Sequence, residues 1–286
     1  MIDLILFPSS YFDGKKVDEE LQTEYNGAKD TGLLDTLIFN YDSWFSNDKL
    51  ILTTVPENKK KAVYRGWMMK PDKYEVFYSK LLENNIELVT KPEDYKLMHI
   101  FPNIYEKFAE DTAKMKIYPL HEQINVEHLK ESFSRFMIKD FVKSVKGTDF
   151  PKFFDHTVTQ EEFDKWMDVF YKYRGNLLTG GICVKEFLNL KYYDSKPNEY
   201  RVFYANHEII SVSRNSGQGN DTNELPKKLI EKYRNINSVY YTVDYAELED
   251  GSWKVLEAGD GSVSGLSDSQ DAEVYFRALY HSLNNE

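Results

Sequence analysis

Residues 241–266 read YTVDYAELEDGSWKVLEAGDGSVSGL, and the stretch contains two strand-like runs separated by Asp250 and Gly251. An Asp-Gly pair between alternating apolar and polar residues is a strong signal for a β-hairpin with a two-residue type I′ turn. With those two residues as the loop, Asp244 on the first strand stands directly opposite Glu257 on the second. The hairpin therefore carries two acids at the same level.

The two opposed acids need a partner that relieves their repulsion. The same register pairs Glu247 with Lys254, a favourable cross-strand contact that supports it. Like charges directly opposite each other destabilise a sheet, and apolar neighbours such as Val255 add a desolvation cost. A shared proton, a basic side chain or a divalent cation could relieve the pair, and Mg²⁺ takes carboxylate oxygens. In the alternative interpretation, this is an edge hairpin whose two acids reach solvent.

The composition indicates a folded, acidic protein. Hydrophobic residues make up 41% and aromatic residues 15% of the 286 residues, which excludes a disordered chain. The formal net charge of −11 argues against non-specific binding to nucleic acid or to an anionic membrane. A chain of this length can form one large domain or about two to three lobes.

Cysteine usage and hydrophobic runs limit the cellular context. The single cysteine, Cys183, excludes an internal disulfide bond, and no zinc-ligand spacing occurs among the six histidines. The N-terminal run MIDLILFPSS lacks a basic region, and its apolar part is too short for a signal peptide. No stretch reaches the ~18 apolar residues of a membrane span. We therefore expect a cytoplasmic protein that does not bind membranes.

Strand and helix patterns alternate in residues 1–115, which predicts a small N-terminal α/β domain. The segments DLILF, DTLIFN, KLILTTV and IELVT are typical of strands. DKYEVFYSKLLENN is typical of a helix, and PEDYKLMHIFPNIYEKFAED is helical with a break at Pro102. The basic run KKK at residues 59–61 is interpreted as a solvated turn.

The second part of the chain combines sheets and helices in a different order. MKIYPL, RFMIKDFV, GGICVKEFLNLKYY and EYRVFYANHEIISVSRN are expected to be strands. TQEEFDKWMDVFYKYRG is expected to be a helix that begins with a capping box of Thr159 and Glu162 and ends at Gly175. The predicted fold class is therefore α/β and α+β, in several lobes.

One strand and the loop after it carry lysines in unusual places. Lys139 lies within the apolar strand FMIKDFV, where an unpaired lysine is costly to bury, although it could also extend to the strand edge. The loop KSVKG contains Lys143 and Lys146 and could close over a phosphate. Its spacing matches no P-loop, and a solvated turn is the alternative.

Two further strands add charged side chains. Lys185 and Glu186 lie in CVKEFLNL, and Glu199 and Arg201 share one face of EYRVFY. Arginine suits phosphate or carboxylate groups, although an ion pair between Glu199 and Arg201 is the alternative. Together with paired acids that suit magnesium between phosphate oxygens, these residues predict a nucleotide site without a P-loop.

The ordered set of these motifs resembles the ATP-grasp superfamily. The set comprises the lysine of FMIKDFVKS, then VKEFLNL, EYRVFYANHEIISVS, the aspartate of YTVDYAEL and the glutamate of WKVLEAGDGSVSGL. It is most similar to the divergent clade that contains the eukaryotic assembly factor for translation initiation factor two and uncharacterised bacterial ATP-grasp proteins. The resemblance covers roughly residues 115–286, and RGWMM at residues 65–69 is similar to the N-terminal domain of the bacterial members.

The resemblance implies an ATP-grasp fold of two lobes, residues 116–187 with a lid loop and residues 188–286, preceded by the domain at residues 1–115. It implies ATP and Mg²⁺ as cofactors, and Lys139 and Arg201 as catalytic residues. Asp244 and Glu257 would hold the metal. The implied ATP-binding residues are Lys139, Lys143, Lys146, Lys185, Glu186, Phe187, Leu188 and Arg201, of which Glu186, Phe187 and Leu188 would form the hinge that contacts adenine.

The chain departs from the superfamily pattern at two positions. The usual metal motif is Glu-x-Asn, but Gly259 stands where the asparagine would be, and Asp260 is the candidate substitute. Lys185 replaces the arginine of the clade, which keeps the charge but loses the bidentate fork.

The resemblance implies a Mg-ATP-dependent ligase that joins a carboxylate to an amine or thiol through an acyl-phosphate. A peptide or protein is a candidate substrate, and Arg65 is the candidate residue for holding an acidic substrate. The alternative is an ATP-binding assembly chaperone that binds a partner protein without ligase turnover, and Gly259 in the metal motif favours it.

Overall fold

The computed structural model describes residues 1–145 and 147–285. Lys146, one of the predicted ATP-binding residues, lies outside the described residues. No helix in the described part of the chain is long and apolar enough to cross a membrane.

The N-terminal region contains a four-stranded sheet of order β2-β1-β3-β4 in which every neighbouring pair is parallel. Helices cover both faces, and apolar residues of the strands pack against them. The strands are β1 Leu4–Pro8, β2 Asp35–Phe39, β3 Lys60–Tyr64 and β4 Ile86–Leu88, and the helices are α1 Gln22–Asp30, α2 Tyr41–Asn47, α3 Pro71–Glu83, α4 Pro92–His99 and α5 Phe101–Phe108.

Two predictions for this region are wrong. The segment KLILTTV is not a strand, and only Leu52 forms an isolated bridge, to Phe39. The third strand is instead β3, which includes part of the lysine run that was interpreted as a turn. Its last three residues are buried, whereas Lys60 at its start extends to Asp3, with 2.9 Å between Nζ and Oδ2. A lysine can lie on a strand here because its charged end reaches an exposed acid.

A second sheet, of order β5-β8-β6-β7, is antiparallel. The predicted capping box is confirmed, because Thr159 and Glu162 exchange hydrogen bonds at the start of the helix that packs on this sheet. The strands are β5 Met115–Tyr118, β6 Arg135–Asp140, β7 Phe154–Asp155 and β8 Ile182–Glu186, and the helices are α6 Val126–Lys130 and α7 Gln160–Arg174.

A third sheet, of order β12-β11-β13-β14, is also antiparallel. The predicted single strand EYRVFYANHEIISVSRN is instead a hairpin that turns at Asn206 and His207, whose φ angles are 44° and 64°. Two consecutive left-handed residues form a type I′ turn, and asparagine tolerates that conformation well. The strands are β9 Tyr192–Tyr193, β10 Lys196–Pro197, β11 Glu199–Ala205, β12 Glu208–Arg214, β13 Tyr240–Glu247 and β14 Trp253–Asp260, and the helices are α8 Lys227–Lys232 and α9 Ala272–Asn284.

The two faces of the third sheet have different neighbours. One face carries buried tyrosines and valines that pack against α4, α5 and α8. On the other face, Phe203, Ala205 and Tyr240 pack against the N-terminal sheet and α9. The remaining part of this second face carries polar residues that lie beside the second sheet.

The hairpin of β13 and β14 has the predicted pairing of Asp244 with Glu257 but a different loop. The loop has three residues, because Leu248 donates its N–H to Ser252 and Gly251 adopts a φ of 83°. A bulge at Leu256 then shifts the register by one residue, which restores the opposition of the two acids.

The predicted pair of Glu247 with Lys254 is therefore wrong. Glu247 faces Trp253 in the ladder, and its carboxylate is buried. Its charge is balanced by Lys191, with 2.9 Å between Nζ and Oε1, and it accepts further hydrogen bonds from Tyr193, Asn198 and Asn223.

Candidate functional site

A row of polar residues crosses the open face of the third sheet. Ser213, Arg201, Asp244 and Glu257 are successive cross-strand partners on β12, β11, β13 and β14. Lys139 on β6 of the second sheet extends the row, because its Nζ lies 2.7 Å from Glu257 Oε1. The sheet pairing and the contact between the sheets thus bring together four of the predicted site residues.

Lys139 and Glu257 form the ion pair between the two sheets. The Lys139 side chain is 8% exposed and that of Glu257 is 40% exposed. Burial alone would raise the pKa of Glu257, but the charge and the hydrogen bond of Lys139, with Lys143 and Lys185 nearby, lower that pKa to about 2. Glu257 is therefore a carboxylate at neutral pH, and the lysine that looked costly to bury has a partner.

Arg201 and Asp244 form a bidentate ion pair. Nε of Arg201 lies 2.8 Å from Oδ1 of Asp244, and Nη2 lies 2.7 Å from Oδ2. The remaining nitrogen, Nη1, donates to the carbonyl of Gly265 at 3.0 Å. Burial disfavours the charged guanidinium, but Asp244 raises the pKa of Arg201 above its ordinary value. The alternative ion pair with Glu199 does not form, and Glu199 accepts a hydrogen bond from Ser216.

Lys185 lies behind this row, on β8. Its side chain is buried, and its Nζ donates to the carbonyl of Leu256, the bulge residue, at 2.5 Å. The same Nζ lies 4.6 Å from the centre of the Phe101 ring. Burial, together with the charge of Lys139, lowers the pKa of Lys185 to about 7. A lysine with this pKa can change its charge near neutral pH.

The start of the predicted lid loop is held by Asp140, a residue that the sequence reasoning missed. Asp140 is fully buried and accepts hydrogen bonds from the N–H groups of Val142 and Lys143, both at 2.7 Å. Arg174 balances its charge at 2.8 Å. Its position directly after Lys139 was a usable signal, because an acid inside a buried strand needs such partners.

His99 was also missed. It lies at the end of α4 and stacks on Tyr95 with 4.8 Å between ring centres. Burial, then the charge of Lys143, lowers the pKa of His99 to about 4, so the imidazole is neutral at physiological pH. Since the histidine spacing shows no motif, only the fold brings it near the site.

The predicted hinge residues follow one another at the end of β8. Glu186 exchanges hydrogen bonds with Lys114, and the Phe187 N–H donates to the Arg135 carbonyl at 2.9 Å. Leu188 comes next, between the second sheet and the β9–β10 region. Their contact with adenine stays a prediction.

The geometry does not support Asp260 as a metal ligand. Side chains alternate along β14, so Asp260 points to the face opposite Glu257. It is fully buried, its Oδ1 accepts the Ser262 N–H at 2.9 Å, and its Oδ2 has no hydrogen-bond partner among the described residues. Burial raises the pKa of Asp260 to about 7.

Arg65 does not lie in the cleft as predicted. It is 1% exposed and forms a bidentate pair with Glu24 at 2.7 and 2.8 Å. It also donates to the carbonyls of Gly261 and Ser264 and to the Tyr240 hydroxyl. A guanidinium with every nitrogen occupied by buried partners cannot bind a substrate, so Arg65 has a structural role.

The donor set of the row fits magnesium and phosphate. Asp244 and Glu257 offer adjacent carboxylates, which are the ligands that Mg²⁺ prefers, whereas Lys139 and Arg201 suit phosphate oxygens. No group of three or more His, Cys, Asp or Glu residues in the described chain could hold a metal on its own. A metal at this position would therefore need oxygens from the nucleotide as well.

Comparison with known proteins supports this interpretation. A family model described as an ATP-grasp domain, family 3 of its clade, matches residues 108–279. No curated protein sequence matches the chain significantly.

Three solved structures share the fold at low identity. D-cycloserine synthetase DcsG is 10% identical with a TM-score of 0.67, covering 99% of this chain and 100% of its own. The ATP-grasp ligase PsnB with minimal precursor, Mg and ADP is 8% identical with a TM-score of 0.63, covering 100% of both chains. The D-alanine-D-alanine ligase from Coxiella burnetii is 9% identical with a TM-score of 0.63, covering 99% of this chain and 94% of its own.

The family match covers more than half of the chain, and the fold agrees with it. ATP-grasp ligases use ATP and Mg²⁺, so the predicted superfamily, fold class, enzyme class and cofactors are confirmed. The predicted domain boundaries and the roles of individual residues stay predictions. The chain therefore belongs to the ATP-grasp superfamily, as a member of the clade family whose model it matches.

Proposed function

We propose that this protein joins a carboxylate to an amine or a thiol at the expense of ATP, and that the substrate is a peptide or protein. The observation that carries the proposal is the row in which two carboxylates lie side by side and each is paired with a cation, Lys139 for Glu257 and Arg201 for Asp244. One neighbour of similar fold, PsnB, is titled as complexed with a precursor peptide. That title supports a peptide substrate.

The two ion pairs suggest how the site accommodates Mg-ATP. The carboxylates of Asp244 and Glu257 would turn from the cations to the metal, and the freed Lys139 and Arg201 would contact phosphate oxygens. Each charge then keeps a partner of opposite sign, which avoids the cost of an unpaired buried ion. The bound metal would neutralise charge on the phosphates.

The proposed chemistry has two steps, and the protein contributes mainly position and charge. A carboxylate oxygen of the substrate attacks the γ-phosphorus, the bond to the bridging oxygen breaks, and ADP leaves. The amine or thiol then attacks the acyl carbon, phosphate leaves, and the proton of the nucleophile passes to solvent or phosphate. Arg201 and Lys139 would stabilise the charge that develops on the transferred group.

The test is calorimetric titration of ATP with and without Mg²⁺ into wild type, Asp244→Asn and Asp250→Asn. Asp250 lies in the exposed hairpin turn and serves as a matched control. We expect Mg-dependent ATP binding in wild type and in the control, and a loss of about tenfold or more in Asp244→Asn. Equal Mg-dependent binding by all three proteins would remove Asp244 from the metal site.

The second candidate function is an ATP-binding assembly chaperone. Gly259 favours it, because a glycine offers no side-chain ligand where the usual motif has an asparagine. ADP release decides between the two: a ligase releases ADP stoichiometrically with product, whereas a chaperone forms a stable Mg-ATP complex that captures its partner.

A further inference from the structure

An open groove of about 880 Å³ follows strand β12. Its other walls are the loop at residues 215–220, the loop at residues 266–271 and the start of α9. All of residues 210–215 line the groove. Because successive side chains point to opposite faces of a sheet, a groove that contacts consecutive residues must run along the strand edge.

The edge of β12 carries unpaired main-chain groups. β12 is the last strand of its sheet, and its only strand neighbour in the described chain is β11. The Asn215 N–H donates to the Glu199 carbonyl at 2.9 Å, which sets the alternation of the antiparallel ladder. Ser211 and Ser213 thus direct their main-chain groups towards β11, and Val212 and Arg214 direct theirs outwards.

No other part of the described chain covers this edge with hydrogen bonds. Outside the pairing with β11, no main-chain group of Glu208–Arg214 is hydrogen-bonded to another described residue. The strand contains neither proline nor lysine, the residues that commonly block an exposed edge. An unblocked edge inside a groove is suited to pairing with an added strand.

We propose that an extended peptide binds along β12 as an additional strand of the third sheet. Main-chain hydrogen bonds to Val212 and Arg214 would supply affinity, and alternate side chains of the peptide would supply selectivity. The groove is polar on the side of Ser211 and Ser213, where Gln270 donates to the Ser211 hydroxyl at 2.7 Å. This is the chemistry of a polar peptide, whereas an apolar helix would need an apolar groove.

The direction of the row gives the peptide its chemical class. Ser213 is the direct cross-strand neighbour of Arg201, so peptide side chains on that face point towards the guanidinium. Arg201 Nη1 donates to Gly265, next to the residues 266–271 that form the far wall. An aspartate or glutamate side chain at this level of the peptide would be directed to Arg201. This placement rests on the proposed ligase function, for which it would supply the reacting carboxylate.

The test is selection of linear peptides of about ten residues from a random display library against the Mg-ADP-loaded protein. Selected peptides are then titrated into wild type, Val212→Pro and Val212→Ala. Proline removes the outward N–H at an edge position that tolerates it, whereas alanine retains that N–H. We expect the alanine variant to bind like wild type and the proline variant to bind about tenfold more weakly. Selected sequences should carry an acid at one alternating position.

Three results would overturn the proposal: no enriched peptide, equal binding by all three proteins, or equal loss in Val212→Ala. If Val212→Pro does not fold, the same comparison uses peptides N-methylated at alternate positions on unchanged protein. A periodic loss of binding would then support strand pairing, and a uniform response would refute it. Magnesium-dependent ATP binding is measured in parallel, so failure of peptide docking with intact ATP binding leaves the proposed nucleotide site standing.

Discussion

Gly259 is the residue that decides how completely the site can hold metal. It lies on the same face of β14 as Glu257, two residues along, and its φ is not positive. A Cβ at this position would meet Ser264 Oγ and Thr242 Oγ1 at 3.5 Å, which is ordinary van der Waals contact. The fold therefore has room for the asparagine of the usual motif.

We predict that Gly259→Asn folds like wild type and binds Mg-ATP about tenfold more tightly, because an amide oxygen joins the two carboxylates. Gly259→Ala is the matched control, since it adds the Cβ without a ligand. Calorimetry at fixed Mg²⁺ measures the difference. If asparagine and alanine have the same effect, position 259 does not face the metal.

Lys185 should make stability depend on pH. Its pKa is lowered from 10.5 to about 7, so between these values the unfolded chain binds a proton that the folded protein does not. Stability from this residue therefore rises with pH across that window and stays constant below pH about 7, with a slope of at most about 1.4 kcal/mol per pH unit.

The measurement is urea unfolding of wild type and Lys185→Met from pH 6 to pH 10 in the presence of a chelator. We expect the free energy of unfolding of wild type, relative to the variant, to increase by about 1 kcal/mol or more across the window. Parallel curves would mean that Lys185 stays charged, held by Glu257.

At the scale of elements, the hairpin of β13 and β14 shows what sequence patterns can predict. The Asp-Gly signal located the turn, and the opposition of Asp244 and Glu257 was right. It was right because two deviations cancel: the loop is one residue longer than predicted, and Leu256 forms a bulge. A leucine bulge carries no sequence signature, whereas its carbonyl has a clear role as the acceptor for Lys185.

Glu247 ties this hairpin to the segment before it. Its buried carboxylate accepts from Lys191 and Tyr193 of the β9–β10 region and from Asn198 and Asn223. We predict that Glu247→Gln lowers the free energy of unfolding by about 2 kcal/mol, because an amide cannot satisfy four donors. Glu249→Gln, two residues away in the exposed turn, should change it by less than about 0.5 kcal/mol. Chemical denaturation of both variants measures this, and equal effects would contradict the role of the buried network.

At the scale of the whole molecule, the nucleotide site is formed where lobes meet. Lys139 comes from the second sheet and Glu257 from the third, and their contact spans 118 residues of sequence. The sequence order of the motifs predicted these residues as a set. It could not place Arg65, because a lone arginine between apolar residues is compatible with either a cleft or a buried ion pair, and only the packing of Glu24 against it decides.

Arg65 joins the N-terminal region to the third sheet through Glu24 on α1 and the carbonyls of Gly261 and Ser264. Burial opposes its charge, but Glu24 raises the pKa of Arg65 above its ordinary value, so the pair stays ionised. Removing one member leaves a buried charge without a partner. We therefore predict that Arg65→Met lowers the free energy of unfolding by about 3–5 kcal/mol.

The double variant Glu24→Gln/Arg65→Met distinguishes the lost ion pair from lost packing. Because it removes both charges, it should recover part of the stability lost in Arg65→Met when the three proteins are unfolded in urea under the same conditions. If the double variant is no more stable than the single one, the cost comes from packing and from the two carbonyls. If Arg65→Met is as stable as wild type, the ion pair does not hold the N-terminal region against the third sheet.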